Sequence, residues 1–226
     1  MVYLDISGES LNRRGYRRES HRAPMQETLA TTIIQTTQRE NDRHFINPMC
    51  GSVTLAIEAA LIATRKATGL LRPNYGIKHI LGFDESAWKS PQSELKHASI
   101  KERKGRIIAT DIDRRAIEAA KINARTAEVD HFIEFKVCDF RDTDNPYGDG
   151  VVVMNLPYGE RLGNDDDLIA LYKTMGDFFK RDCFGKWGYI FTGNFGLAKK
   201  IGLRSSRRVE LYNSTIECRL LEFELY

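Results

Sequence analysis

His44-Phe45-Ile46-Asn47-Pro48-Met49-Cys50-Gly51-Ser52-Val53-Thr54, running on through Leu55-Ala56-Ile57-Glu58-Ala59-Ala60-Leu61-Ile62-Ala63, is the stretch that decides the fold. Residues 44–46 read as a short buried strand and 54–63 as an alanine-rich helix, with a tight polar loop between them. Strand, loop and helix are the first half of a βαβ unit, and the alternation continues downstream. Residues 106–110 read as a strand, 114–126 as a helix with Ala116, Ile117, Ala120 and Ala124 on one face, and 132–137 as a third strand. A fourth strand is expected at 151–154, a helix at 168–179, a fifth strand at 189–192 and a short helix at 197–201. Segments 209–212 and 217–225 alternate like an antiparallel hairpin. Upstream, Pro24 and Glu27 open a helix over 24–37, and residues 2–6 alternate like a short edge strand. The irregular stretch 65–105 reads as an insertion, closing with a helix over 91–102. The expected architecture is α/β: a mainly parallel seven-stranded sheet, helices on both faces, and a C-terminal hairpin as antiparallel edge.

The 226 residues suit one domain over 24–226 preceded by a basic lead-in over 1–23. With 42% hydrophobic and 29% charged residues, composition excludes disorder and fibrous repeats and allows a buried core. No run approaches the roughly 18 to 20 apolar residues of a membrane helix, so a cytoplasmic protein without a membrane partner is expected. Cys50, Cys138, Cys183 and Cys218 have no paired spacing, and the histidines show no ligand pattern; reduced thiols and no metal are expected. Oligomeric state leaves no mark in the sequence. A net charge of +3 does not by itself imply a polyanionic partner, but Arg13, Arg14, Arg17 and Arg18 cluster around Tyr16 as a candidate nucleic-acid contact.

Ligands of open α/β sheets bind beyond the carboxyl ends of the strands, and four polar loops fall there. In the first, Asn47, Pro48, Cys50, Gly51, Ser52 and Thr54 surround a turn whose amides can approach a ligand. In the second, Asp111 with Ile112 can receive both hydroxyls of a ribose, while Asp113 is placed to cap the following helix. The third, Cys138-Asp139-Phe140, offers a carboxylate to an adenine amine, though Asp139 also reads as an ordinary loop acid. The fourth is Asn155-Leu156-Pro157-Tyr158-Gly159-Glu160-Arg161-Leu162.

That last loop suits methylation of a planar amine. An exocyclic base nitrogen is a weak nucleophile because its lone pair is delocalised into the ring. Two acceptors, Asn155 Oδ1 and the Leu156 carbonyl, can grip its N–H groups beside a sulfonium methyl. Pro157 stiffens the loop, and Tyr158 offers a stacking face for an extruded base. A surface turn would use the same residue types, but three other polar loops sit at the ends of neighbouring strands.

These motifs resemble the methyltransferase domain of bacterial 23S rRNA guanine-N2 methyltransferases, whose members usually carry an RNA-binding THUMP domain in front. Leu11 to Arg17 resembles that family's L-x-R-R-G-Y-R, and Ala23 to Ala30 its A-P-L-x-E-x-L-A. Pro48 to Ser52 with Ile57 to Ala60 resembles its P-x-C-G-S-G-T...I-E-A-A, and Asn155 to Leu162 its N-P-P-Y-G-E-R-L. The resemblance implies a Rossmann-like class I fold, S-adenosylmethionine as cofactor, and RNA, specifically rRNA, as partner. It assigns Asn155, Leu156, Pro157 and Tyr158 to catalysis and the first three loops to the cofactor. The chain begins at what resembles the linker after the THUMP domain, so that domain is expected to be missing. Asn47 stands where the family has Asp, Val53 where it has Gly, and Leu156 where it has Pro. Val53 is therefore expected to place a side chain against the cofactor. The competing readings are an adenine-N6 DNA methyltransferase and a non-catalytic nucleic-acid-binding module of the same fold.

Overall fold

The computed structural model describes the chain except residues 2, 20–24, 39–41 and 157–164, and the side chain of Asp165. Seven strands form one sheet in the order β3-β2-β1-β4-β5-β7-β6. They are β1 (His44–Pro48), β2 (Ile107–Asp111), β3 (Ile133–Val137), β4 (Gly150–Asn155), β5 (Lys186–Thr192), β6 (Arg207–Asn213) and β7 (Ile216–Leu225). The first five are parallel; β7 runs antiparallel to β5, and β6 closes the edge. The fold expected from the sequence is the fold observed.

Strand residues alternate between two apolar cores, as a sheet covered on both faces requires. Phe45, Ile107, Val151, Val153 and Phe191 face one core; Ile46, Ile108, Val152, Met154 and Ile190 face the other. Against the first face pack α1 (Glu27–Thr36), α2 (Thr54–Ala63) and α4 (Arg114–Thr126). All of α2 but Ile62 is buried, and its alanines let it lie close to the sheet. Against the second face lies α5 (Asp165–Asp182), through Tyr172, Met175, Phe178 and Phe179, joined by the short α6 (Phe195–Ala198). The single reversal of winding falls between β1 and β4, whose carboxyl ends therefore border the natural ligand crevice.

Two expectations fail. Residues 3–6 form no strand: Tyr3, Leu4 and Ile6 are exposed, and the Ile6 carbonyl accepts from the Ile77 amide of the insertion. Alternation alone could not specify a pairing partner. The insertion's helix is α3 (Glu85–His97), six residues earlier than expected, because Asp84 caps it by accepting from the Ser86 and Ala87 amides. Pro91 sits inside this helix rather than starting it, removing one backbone donor in an element with no buried residue. Pro24 lies outside the described residues. Among them, no helix is long and apolar enough to cross a membrane.

Candidate functional site

The loop after β1 is held by two hydrogen bonds to the end of β2. The Cys50 amide donates to the Thr110 carbonyl at 2.8 Å, and the Gly51 amide donates to Asp111 Oδ2 at 2.9 Å. The other oxygen of Asp111 accepts from the Asp113 amide at 2.9 Å. One carboxylate thus ties the first loop to the second. Asp113 accepts from the Arg115 amide as the cap of α4, the role its position implied. Gly51 has φ +54°, and a Cβ there would meet nothing within 4 Å, so the loop presents bare backbone to open space. Beside it Ile112 is 73% exposed, an apolar face uncovered next to the carboxylate.

Val53 differs from the expectation. Its φ of +70° is the left-handed conformation that glycine adopts freely, yet its side chain is fully buried in the first core. It points away from the crevice, so the departure from glycine takes the form of backbone strain and not of a filled cradle. Thr54 also turns inward, accepting from Arg17 at 3.2 Å, and Pro48 and Ser52 are buried. The Cys50 thiol is pushed well up by burial and by the neighbouring Asp111, which keeps it protonated at neutral pH.

At the third loop, Asp139 Oδ1 accepts from the Arg141 amide, and the guanidinium grips both carboxylate oxygens at 2.8 Å. Arg141 holds the carboxyl below the usual range. A ligand amine would have to share Asp139 with it. Phe140 is a core residue, edge-on to Phe178 at 5.6 Å, leaving only its backbone for the crevice.

The fourth loop begins with Asn155, level with Phe191 of β5, followed by Leu156, whose side chain is buried and whose amide donates to the Phe191 carbonyl at 3.1 Å. Pro157, Tyr158, Glu160 and Arg161 lie outside the described residues. Two side-chain oxygens in this region are desolvated without a partner among the described residues: Asn155 Oδ1 at the end of β4 and Asn47 Oδ1 in β1 beside it. Asn47 Nδ2 donates to the Val153 carbonyl at 2.8 Å, which fixes the amide so that its oxygen is the free end. Burying an acceptor with no donor costs about 1 to 3 kcal/mol. Two such groups on adjoining strands at the ligand edge are what N–H donors of a bound molecule would satisfy.

Three of the five residues of the expected nucleic-acid contact, Arg14, Tyr16 and Arg17, have partners inside the fold. Tyr16 is 1% exposed and donates to Glu58 Oε1 at 3.0 Å. Arg14 faces the same buried carboxylate at 3.6 Å, and Arg17 donates to the Met25 carbonyl and pairs with Glu27. These residues peg the lead-in onto α1 and α2. Arg13 and Arg18 remain on the surface, with Arg13 near Glu9 at 3.8 Å. Tyr75 and Trp88 pack on each other at 5.1 Å within the insertion. A second basic run, not singled out by motif, extends from Phe195 to Val209 and carries Lys199, Lys200, Arg204, Arg207 and Arg208 with no acid. Charge counted in short windows is the signal that finds it.

The sequence pattern of the UPF0020 family, the RMKL-like methyltransferase domain, matches residues 14–222. The chain is 40% identical to the ribosomal RNA large subunit methyltransferase K/L of Syntrophotalea carbinolica, over 98% of this chain and 32% of the relative. It is 34% identical to a candidate RNA methyltransferase of Synechocystis, slr0064, over 99% of this chain and 58% of the relative. The chain thus spans about a third to three fifths of these relatives. The crystal structure of SMU.472, a candidate methyltransferase complexed with S-adenosylhomocysteine (SAH), superposes with a TM-score of 0.90 at 30% identity, covering 98% of this chain and 58% of that one.

Proposed function

The chain belongs to the RMKL-like methyltransferase domain family, and from that premise we propose that it transfers a methyl group from S-adenosylmethionine to the exocyclic N2 amine of a guanine in RNA, specifically large-subunit ribosomal RNA in the cytoplasm. The observation that carries this reading is the pair of unpartnered acceptors, Asn47 Oδ1 and Asn155 Oδ1, on adjoining strands at the crevice. The crevice also fits the cofactor in kind. Asp111 supplies a ribose acceptor, Ile112 an apolar face for the adenine ring, and Gly51 an amide-bearing turn with room in front of it. Asn47 Oδ1 would accept from the methionine ammonium, with a dipole where its family relatives have a charge. Asp139 would accept from the adenine amine, shared with Arg141. When bound, the sulfonium supplies an electrophilic methyl carbon.

In this reading residues 24–226 are the catalytic domain and 1–23 its lead-in. Asn155 and the carbonyl of Leu156 accept from the two N–H groups of the base amine and turn its nitrogen toward the methyl. Neither is a base of carboxylate strength, so the rate gain comes from orientation, for which effective molarities can be very large. Pro157 and Tyr158 would complete the loop as stiffener and stacking face.

Incubation with labelled cofactor and separate guanine-rich and adenine-rich RNAs, followed by digestion to nucleosides, tests the proposal. Label in N2-methylguanosine is expected. Label only in methyladenosine would overturn the target, and no binding of S-adenosylhomocysteine by calorimetry would overturn methyl transfer itself.

A further inference from the structure

We infer that the cavity between α6 and the β6–β7 hairpin is a second nucleotide subsite, taking the base and phosphate of an RNA nucleotide next to the one whose amine enters at Asn155. The inference rests on the reading of the chain as an RNA methyltransferase and specifies where that RNA is held.

Position comes first. Asn155 lies level with Phe191, the next residue of β5 is Thr192, and Thr192 lies level with Arg219 of β7. Thr192 and Arg219 both line the cavity. Thr192 and Arg219 thus stand one and two strands from Asn155 at the carboxyl end of the sheet, about 10 Å for the latter by strand spacing. Alternation turns them to the second face and Asn155 to the first, so the path between the two sites runs round that edge. That separation is bridged by a continuous strand of RNA and not by a single small substrate.

Shape and charge follow. The volume is about 160 Å³, smaller than the roughly 300 to 1,000 Å³ of drug-sized ligand sites, so it suits one ring system. Phe195, Leu203, Leu221 and Phe223 contribute apolar walls, and Lys199 and Arg208 contribute cations. The Arg219 guanidinium lies over the Phe195 ring at 4.2 Å, steadied by Glu217 at 3.3 Å. Of the hairpin's acids, Glu222 is buried and accepts from Tyr189, while Glu210 accepts from Tyr212 and lies level with Arg219, so it offsets part of that cation's charge and leaves Lys199 and Arg208 as the cations of the cavity. Arg208 Nε donates to Ser205 Oγ, a neutral partner, so its charge stays available. Lys199 and Arg208 are exposed, within a run of five cations and no acid. Apolar and aromatic walls beneath a cationic rim are the combination by which proteins hold single-stranded RNA, stacking the base and neutralising the phosphate.

The test uses the full chain with a short fluorescent single-stranded RNA, read by anisotropy across a salt series. In K199A/R208A we expect about tenfold weaker binding and a log-affinity against log-salt slope flatter by about 1.4, at roughly 0.7 for each phosphate no longer neutralised. KM for RNA rises with kcat and S-adenosylhomocysteine affinity unchanged, a split that general destabilisation would not produce. Ala198→Trp, which fills the cavity and leaves the cations, weakens RNA binding as well if a base enters. Unchanged RNA affinity and slope in K199A/R208A would overturn the subsite, as would loss of poly-glutamate binding with RNA binding intact, which marks a protein partner. Wild-type affinity in Ala198→Trp would overturn base entry. A wild-type chain that methylates no RNA yet loses RNA binding in K199A/R208A refutes the catalytic reading and leaves the subsite standing.

Discussion

Val53 provides the sharpest test of how this sequence and fold fit together. At φ +70° a β-branched residue bears a strain of about 1 to 2 kcal/mol, while its buried methyls contribute about 0.8 kcal/mol per carbon. At an unstrained site, going from Ala to Gly loses one more carbon and about 0.5 to 1 kcal/mol of backbone entropy, so the glycine variant should be the weaker by about 1.5 kcal/mol. Here glycine also releases the left-handed strain that alanine retains, which offsets that deficit. Val53→Ala is expected to cost about 1.5 to 2.5 kcal/mol, and Val53→Gly the same within about 0.5 kcal/mol. Urea unfolding of the three proteins measures this, and calorimetry with S-adenosylhomocysteine should give equal affinities because the side chain faces the core. A glycine variant weaker than the alanine variant by about 1.5 kcal/mol would refute the strain argument. A large gain in cofactor affinity on going to glycine would refute the assignment of the side chain to the core.

Other perturbations separate architecture from chemistry. Asn155→Ala removes a buried unpartnered acceptor, so it should leave stability unchanged or raise it by about 1 kcal/mol while lowering kcat at least about 100-fold, with cofactor affinity within about twofold. Glu58→Ala strands Arg14 and Tyr16 and should destabilise by about 3 kcal/mol or more in urea melts. Burial raises the Glu58 carboxyl above the ordinary carboxylate range, so its folded form holds the proton more tightly than the unfolded chain. Its contribution is therefore full below the unfolded pKa and falls as pH rises through the folded one; Glu58→Gln should flatten that part of the stability profile. Cys50 should resist iodoacetamide at pH 7 and react only under alkaline conditions; rapid alkylation at neutral pH would contradict its burial beside Asp111.

The legible parts of this molecule are those where one local rule decides. Residues 54–63 and 114–126 have the bounds their sequence implies, the first as an alanine-rich run and the second by apolar residues on one face, and the parallel order follows from the alternation of strands and helices. Residues 3–6 and 91–102 depart from their pattern because each depends on a partner or cap lying outside the window. The first needs a sheet edge that never forms, and the second is overruled by Asp84, which starts the helix before Pro91 is reached. The arginine cluster departs for a related reason. Charge density alone cannot distinguish a polyanion contact from a peg, and only burial of Glu58 and Glu27 beneath Arg14 and Arg17 shows that the partner is internal.

That distinction bears on how RNA would be held. A cation satisfied by a buried carboxylate adds little field at the surface, whereas Lys199 and Arg208 sit where charge remains exposed beside the ligand edge. Neutralising Arg14 or Arg17 should therefore lower stability while leaving the salt dependence of RNA binding intact. Neutralising Lys199 and Arg208 should do the reverse. Measuring unfolding midpoints and salt slopes on both pairs of variants gives a crossed result if the two basic segments have divided the work in this way. Salt slopes flattened equally in both pairs would mean that the lead-in reaches RNA after all, and that the internal pairing of Arg14 and Arg17 yields when the polyanion binds.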